Sequence, residues 1–394
     1  MSAATAGAGA PADEAAGGTP RIRSVEAVPI AYPEPNDHSR LRSVCLVKIT
    51  DADGRVGWGE ACAYFPEASR AVAAVIGAMA DTVVGRSPLH TQAIWHELRA
   101  QSWWYGTDVG IAALAISGID IALWDLKGKQ LGASVLDLLG GPVRTELEAV
   151  ASIHGTKSSI DAMAADIAEH LAGGMRGVKI GFGKLGEGHL GFDHERDVLF
   201  VRTVREAIGP SKRLMIDLGV KNHWDIATAI RRARAFEPFD VHWLEEPLGH
   251  DDPDGYRALR AGTSLRLAYG EREWNPRGVR RIVETGTVDV VGLDPGRVLG
   301  ITGFAMAATT CGEYRRQANA HNFSTAIVSA ASAALSFAFP ACRELELQPV
   351  YGLAQKDLVD RPLWHDDGLV RMPRGPGLGI EVNEELVASA RLDR

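Results

Sequence analysis

A row of acidic side chains and one histidine, each closing a short apolar run, marks where this chain could do chemistry. RLMID ends on Asp217, VHWLEE on Glu245 and Glu246, and RLAYGE on Glu271; VDVVGLD then ends on Asp294 and RQANAH on His321. Acids directly after a strand often cap the helix that follows, so that reading of Asp217, Glu245 and Glu271 stays open. Against it, WLEEP sets two carboxylates at the end of an apolar run, where unneutralised charge is costly. If the runs are adjacent parallel strands, their ends converge, and three carboxylates at one mouth repel unless a cation sits between them. A ligand set of oxygen alone suits Mg²⁺, with water and substrate completing the octahedron.

Parallel neighbouring strands need helices between them, and the sequence supplies both. From 143 onward, short apolar runs alternate with helical-looking segments. LEAVASIHG, RGVKIGF, RLMID, VHWLEE, RLAYGE, VDVVGLD, RQANAH and ELEL are the candidate strands. The repeat of roughly 25 residues is about what a strand, a loop and a short helix require. Eight units fit a closed β/α barrel better than an open doubly wound sheet, and such barrels carry catalytic residues at strand C-termini. Upstream, RIRSVEAVPIAY and LRSVCLVKIT alternate polar and apolar positions, and DADG offers a hairpin turn into RVGWGEACA. A long helical region follows from Glu67 to about Leu139, where LGG stops it. An antiparallel sheet followed by helices predicts an α+β domain. The expected organisation is a flexible tail over 1–20, an α+β capping domain over 21–142 and a barrel over 143–347. A C-terminal segment, 348–394, is expected to fold back on the first domain.

Of the 394 residues, 46% are hydrophobic and 23% charged, as in a soluble globular protein. The net charge of −8 comes from scattered residues and argues against nucleic acid and anionic membrane surfaces as partners. Cys45, Cys62, Cys311 and Cys342 form no CxxC pair and read as reduced thiols of a cytoplasmic protein. The first twenty residues lack the basic and apolar regions of a secretory signal. No apolar run approaches the ~20 residues of a membrane span.

The chain resembles the enolase superfamily, in its mandelate racemase-like branch, from Arg21 to beyond Glu346. The residues that carry the resemblance are GWGE at Gly57–Glu60, IDIALWDLKGK, VKIG around Lys179, MID at Asp217 and WLEEP at Glu245. GE at Glu271, Asp294, His321 in AHNFST and Glu346 follow in the same order. The resemblance implies a modified (β/α)7β TIM-like barrel beneath an α+β cap, and one Mg²⁺ on Asp217, Glu245 and Glu271. It also implies a small-molecule carboxylate substrate, removal of its α-proton to an enediolate, and a homo-oligomer. Sites of this superfamily pair Mg²⁺ with a lysine or histidine base. Loss of an α-proton puts two negative charges on one group; a divalent ion neutralises them, and a base with a pKa near working pH takes the proton. In this branch His321 is the base and Asp294 the partner that accepts its ring N–H, with a merely structural histidine beside a capping aspartate as the competing view. Glu346 resembles the acid that hydrogen-bonds the substrate carboxylate, and Glu344 is the competing register.

Departures from the family pattern narrow the reaction. The usual Lys-x-Lys reads Lys179-Ile180-Gly181, so the base often found at its second position is missing. A racemase needs bases on both faces, whereas dehydration needs only His321, with itself or another acid protonating the departing β-hydroxyl. Lys179 is expected to support the substrate carboxylate or to order the metal site, with a solvated charge as its ordinary alternative; Lys184 is a substitute base. Gly219 stands where an asparagine substrate contact is often found, and no lysine ends the Asp294 strand, which counts against a muconate-cycloisomerase site. GFGKLG satisfies GxGxxG, but no acid sits clearly at the ribose position about 20 residues on, and a nucleotide is rejected. The resulting expectation is a Mg²⁺-dependent acid-sugar dehydratase that converts an aldonate or aldarate to a 2-keto-3-deoxy acid. The alternatives are an epimerase or racemase using Lys179 or Lys184 as second base, and a non-catalytic relative that binds metal or ligand. Substrate choice is expected to rest on the cap near Tyr32–Arg42 and Tyr64, while Trp103, Trp104 and Tyr105 are expected to pack inward.

Overall fold

The structure, a computed structural model, describes residues 19–183, 188–219, 224–350, 352–372 and 374–393. It opens with an antiparallel sheet of β1 (Ile22–Glu34), β2 (Arg40–Asp51) and β3 (Val56–Tyr64). The DADG turn joins β2 to β3 with Gly54 at φ +87°, in the left-handed region that glycine enters without steric cost. Helices α1 (Pro66–Val83), α2 (Thr91–Gln101), α3 (Gly110–Leu131) and α4 (Val135–Leu138) complete the cap. The helical stretch therefore breaks before LGG: Gly132, at φ +64°, already closes α3. Helix α3 is buried along almost its whole length, so its sequence is apolar all round.

The GWGE motif explains how β3 lies on that helix. A Cβ on Gly59 would meet the Gly118 carbonyl oxygen at 2.0 Å, and one on Gly57 the Ala122 carbonyl oxygen at 2.2 Å. Only glycine at both positions lets the strand touch the helix backbone, and this close packing directs Glu60 toward the second layer of the molecule.

That layer is a barrel. Its elements are β4 (Glu146–His154), α5 (Ile160–Ala172), β5 (Gly177–Gly181), α6 (His194–Ile208), β6 (Arg213–Asp217), α7 (Ile226–Phe236) and β7 (Val241–Glu245). The alternation continues with α8 (Pro253–Gly262), β8 (Leu267–Tyr269), α9 (Pro276–Glu284), β9 (Val290–Leu293), α10 (Gly300–Glu313), β10 (Gln317–Ala320), α11 (Ala326–Ala338) and β11 (Glu344–Leu347). Strands β4 to β10 pair in chain order, all parallel, and β11 pairs in parallel with β4. A bridge from Ala318 to Cys342, just before β11, brings the two ends of the ring together. Val150, Met215, Trp243, Ala268 and Val290 fill the interior. The strand register sets Ser152, Lys179, Met215 and Trp243 in one row, and His154, Gly181, Asp217 and Glu245 in the row above it. Because side chains alternate along a strand, both rows face inward.

After β11, β12 (His365–Asp366) and β13 (Leu369–Arg371) form a hairpin that adds antiparallel to β4. Helix α12 (Glu384–Ala390) then reaches the cap sheet, where Glu384 pairs with Lys48 at 2.7 Å and Arg391 with Glu26 at 2.7 Å. All four cysteines are buried and free, and among the described residues no helix is long and apolar enough to cross a membrane.

The two acids of IDIALWD tie α3 to what surrounds it. Asp125 accepts from the Trp58 and Leu378 amides at 2.9 and 2.8 Å. Asp120 accepts from the Thr302 amide at 2.9 Å and the Thr302 hydroxyl at 2.7 Å, at the start of α10. Burial pushes the Asp120 carboxyl up to about 7, against the pull of those Thr302 bonds. An unfolded aspartate titrates near ~3.9, so between roughly pH 4 and 7 the folded chain holds a proton that the unfolded chain has lost. This contribution to stability is complete below about pH 4 and is lost as pH rises toward 7. Asp120→Asn removes the titration, so its stability relative to wild type is expected to improve from pH 4.5 to pH 7.5 by an amount on the order of 1–4 kcal/mol. Denaturant unfolding at both pH values checks this, and parallel curves for the two proteins would contradict it.

Candidate active site

The parallel ring brings the acids predicted at strand ends to one rim. Asp217 and Glu245 are the last residues of β6 and β7, and Glu271 follows β8 by two residues. One oxygen from each lies within 4.8 Å of the others. An ion with bonds of ~2.1 Å spans at most about 4.2 Å between opposite ligands, so a small side-chain adjustment suffices for the three to share one. Trp243, inside β7, donates its indole N–H to Glu245 Oε2 at 2.9 Å. The Gly219 amide donates to Asp217 Oδ1 at 2.9 Å. These bonds orient two of the three carboxylates from below and from the side. The donor set is carboxylate only and partly buried, and it fits a hard divalent cation such as the Mg²⁺ that enolase-type proteins generally bind.

Lys179, from the middle of β5, lies among these acids. Its Nζ is 3.1 Å from Glu245 Oε1, 3.3 Å from Asp217 Oδ2 and 3.0 Å from Glu346 Oε1. Burial works to strip the proton from this amine, but the carboxylates of Glu245, Glu346, Asp217 and Glu271 outweigh it and hold the pKa well above the usual lysine range. The side chain is thus an ammonium that compensates charge inside the barrel, and a solvated surface charge is ruled out by its 4% exposure. Lys179→Met leaves those carboxylates facing one another, and losing one partner from a buried ionic cluster costs roughly 3–5 kcal/mol. The variant is expected to unfold at lower denaturant in chelator, and to regain more of its stability with Mg²⁺ than wild type gains. Equal Mg²⁺ responses in the two proteins would count against this charge balance.

On the next strands, His321 Nδ1 is 2.8 Å from Asp294 Oδ2, and His321 Nε2 is 3.4 Å from Glu271 Oε2. Burial lowers the tendency of the ring to protonate, but Glu271 and Asp294 overcome it and raise the pKa to about 9. A cation on Glu271 offsets the first of these pulls and leaves Asp294 as the main partner of the ring. Asp294 is itself fixed: its Oδ1 accepts from the Gly296 amide at 2.8 Å and lies 3.5 Å from Cys62 Sγ, while Tyr64 Oη is 3.5 Å from its Oδ2. Cys62 and Tyr64 belong to the cap. So does Glu60, which binds the hydroxyls of Ser324 and Thr325 just past His321; burial pushes its carboxyl up to about 7 despite those bonds.

Glu346 and Glu344 share one face of β11 and differ in height. Glu346 takes Lys179 and the Asn319 amide at 2.5 Å, and its Oε2 is buried with no protein partner among the described residues. Glu344 sits lower and binds Arg213 at 2.6 Å and Gln317, both at strand N-termini. Glu246, the second acid of WLEEP, turns away with φ +44° and pairs with Arg272 at 2.7 Å. Burial, reinforced by Glu271, pushes its carboxyl up to about 8.

Over this row lies a cavity of about 340 Å³. Lys179, Asp217, Glu271 and His321 line its floor, and Arg42 and Tyr64 reach it from the cap. The Arg42 guanidinium is stacked over the Phe323 ring at 4.3 Å and donates to the Phe323 carbonyl at 2.6 Å, which sets a positive charge near the mouth. A groove of similar volume, about 360 Å³, runs along the C-terminal segment and contains none of these residues. Trp103, Trp104 and Tyr105 do not pack inward as expected: they are 69%, 81% and 49% exposed, in the turn between α2 and α3. Lys184 and the rest of the second half of GFGKLG, 184–186, lie outside the described residues. Sequence reasoning passed over Trp243, Asn319, Cys62 and the histidine that ends β4. The first two carried a signal, since each lies two residues before a predicted site residue on the same inward face.

Residues 36–140 match the family model for the mandelate racemase / muconate lactonizing enzyme N-terminal domain, and residues 162–386 match that for enolase C-terminal domain-like proteins. The chain is 33% identical over 368 residues to D-galactarolactone cycloisomerase from Agrobacterium fabrum, covering 89% of this chain and 92% of that one. It is 29% identical over 385 residues to D-gluconate dehydratase from Thermoproteus tenax, covering 94% and 74%. The crystal structure of 3,6-anhydro-D-galactonate cycloisomerase from Zobellia galactanivorans superposes with a TM-score of 0.84 at 28% identity, covering 94% of this chain and 99% of that one.

Proposed function

This chain belongs to the mandelate racemase / muconate lactonizing enzyme family of enolase-like proteins, and on that footing we propose that it is a Mg²⁺-dependent acid-sugar dehydratase. The reading is carried by one observation: an Asp-supported imidazole shares a single cavity of sugar-acid size with Asp217 and Glu271, two members of a three-carboxylate cluster.

Asp217, Glu245 and Glu271 would hold one Mg²⁺, which when bound neutralises negative charge developing on a substrate carboxylate. The ammonium of Lys179 binds and orients that carboxylate from the side of β5, and Glu346 on β11 holds the ammonium in place. Asp294 accepts the Nδ1 proton of His321 and fixes the tautomer, leaving Nε2 to remove the α-proton. The C–H electron pair moves toward the carboxyl carbon and gives the enediolate; loss of the β-hydroxyl as water then yields an enol that becomes the 2-keto-3-deoxy acid. The cap closes the mouth with Arg42 and Tyr64 and limits access of water. Relatives named as dehydratases support this outcome.

The relatives named as cycloisomerases favour a second reading, in which the β-oxygen belongs to a ring of the substrate and no water is released. A panel of aldonates, aldarates and their cyclic forms, followed for 2-keto acid and for mass change with and without Mg²⁺, separates the two. Deuterium entering recovered substrate with no keto product would select an epimerase. Neither signal from any member would leave a non-catalytic binder. The exposed Trp103–Trp104–Tyr105 patch supports a homo-oligomer, which sedimentation of the full chain tests.

A further inference from the structure

Strands β4, β5, β6 and β7 end in one inward-facing row: His154, Gly181, Asp217 and Glu245. Two of the four are the carboxylates assigned to the ion, and the third has no side chain. A Cβ built on Gly181 would lie 2.0 Å from Nδ1 and 2.5 Å from Cε1 of His154. The His154 ring therefore fills the volume over Gly181 that any side chain at 181 would take. It lines the same cavity as Lys179, Asp217 and His321. Phe323 packs near both imidazoles, its ring 5.2 Å from that of His154 and 6.4 Å from that of His321.

Strand order decides which side of a bound substrate each imidazole meets. The carboxylates of β6, β7 and β8 form a continuous arc of the ring. On one flank of that arc lies β5, with the His154 ring over its end; on the other lie β9 and β10, with Asp294 and His321. A sugar acid whose carboxylate rested on the arc would have His154 toward its β5 side and His321 toward its β9–β10 side.

We propose that His154 is the acid that protonates the departing β-hydroxyl, an assignment that rests on the dehydratase reading above. His321 Nε2 takes the α-proton, and the C–H pair becomes the carbon–carbon double bond of the enediolate. As the carboxylate re-forms, that pair shifts to join the α- and β-carbons, and the β-carbon–oxygen bond breaks with its electrons on oxygen. That oxygen takes a proton from His154 and leaves as water on the β5 side. The enol gains a proton at the β-carbon and gives up its hydroxyl proton as it becomes the ketone; exchange with solvent returns both imidazoles to their starting states.

The test uses the acid sugar that the panel identifies and an analogue with fluorine in place of the β-hydroxyl, because fluoride leaves without a proton. His154→Asn is expected to lower kcat on the hydroxy acid by about 10²-fold or more. It should keep, or raise, solvent-deuterium exchange at the α-carbon, and should eliminate fluoride within about tenfold of the wild-type rate. Gly181→Ala, which drives a methyl group into the ring, should give the same split between the two substrates. Unchanged kcat, equal losses on both substrates, or loss of exchange together with elimination would each overturn the assignment. A wild type that converts nothing in the panel removes the dehydratase reading itself; an active wild type without the split removes only the role of His154.

Discussion

His321→Asn is expected to abolish both solvent-deuterium exchange at the α-carbon and 2-keto acid formation, with kcat down by about 10³-fold or more. Both signals fail together because both need the enediolate, and in the proposed site His321 Nε2 is the atom that takes the α-proton. The substitution should leave the fold intact. Asp294 keeps its Gly296 amide and its Cys62 contact, and the Glu60 links to Ser324 and Thr325 do not involve the ring. Stability measured in parallel should therefore stay near wild type while turnover disappears. Full turnover by this variant would remove the base assignment. Loss of elimination with retained exchange would move His321 to the later step.

Removing the cation is expected to cost at least as much. Stabilising a doubly charged enediolate by a metal contributes several kcal/mol, and each 1.36 kcal/mol is a tenfold change in rate, so chelation should lower kcat by roughly three orders of magnitude or more. Asp217→Asn and Glu271→Gln each keep shape and remove one charge from the proposed ligand set, and each should reproduce most of that loss even at high Mg²⁺. Lys179 distinguishes this effect from a simple charge deficit: its ammonium still offsets the acids when Mg²⁺ is absent, so the chelated protein should be folded and inactive. Rates in chelator equal to those in Mg²⁺ would show that the three acids serve another purpose.

How far the site could be read from the chain depended on whether position along a strand or height within the barrel carried the information. The acids at the ends of RLMID and VHWLEE were legible because parallel strands in a ring deliver their C-termini to one rim, whatever the loop lengths. Glu344 and Glu346 were not separable, because they lie two residues apart and face the same way; only their heights, against Arg213 below and Lys179 above, assign their partners. Glu246 and Glu245 were adjacent in sequence and opposite in direction, and the positive φ at Glu246 that turns one away leaves no trace in composition. Helix α3 was legible as helix, but its end at Gly132 was hidden by apolar residues on both sides. Trp103, Trp104 and Tyr105 misled in the other direction: large apolar type favours burial, but a turn between two helices exposes what it carries. His154 closed its apolar run just as His321 did. Nothing in the sequence set it apart from the other residues of its run, and only the structure shows its ring filling the volume over Gly181.

The claim on which the rest depends is that Asp217, Glu245 and Glu271 hold one divalent ion. Titrating the full chain with Mn²⁺, and following the free ion by its EPR signal, tests it without knowledge of the substrate. Wild type is expected to take up one Mn²⁺ per chain, displaceable by Mg²⁺, and Glu245→Gln to take up none over the same range. Uptake that is absent from the wild type, or unchanged when Glu245 loses its charge, would contradict it.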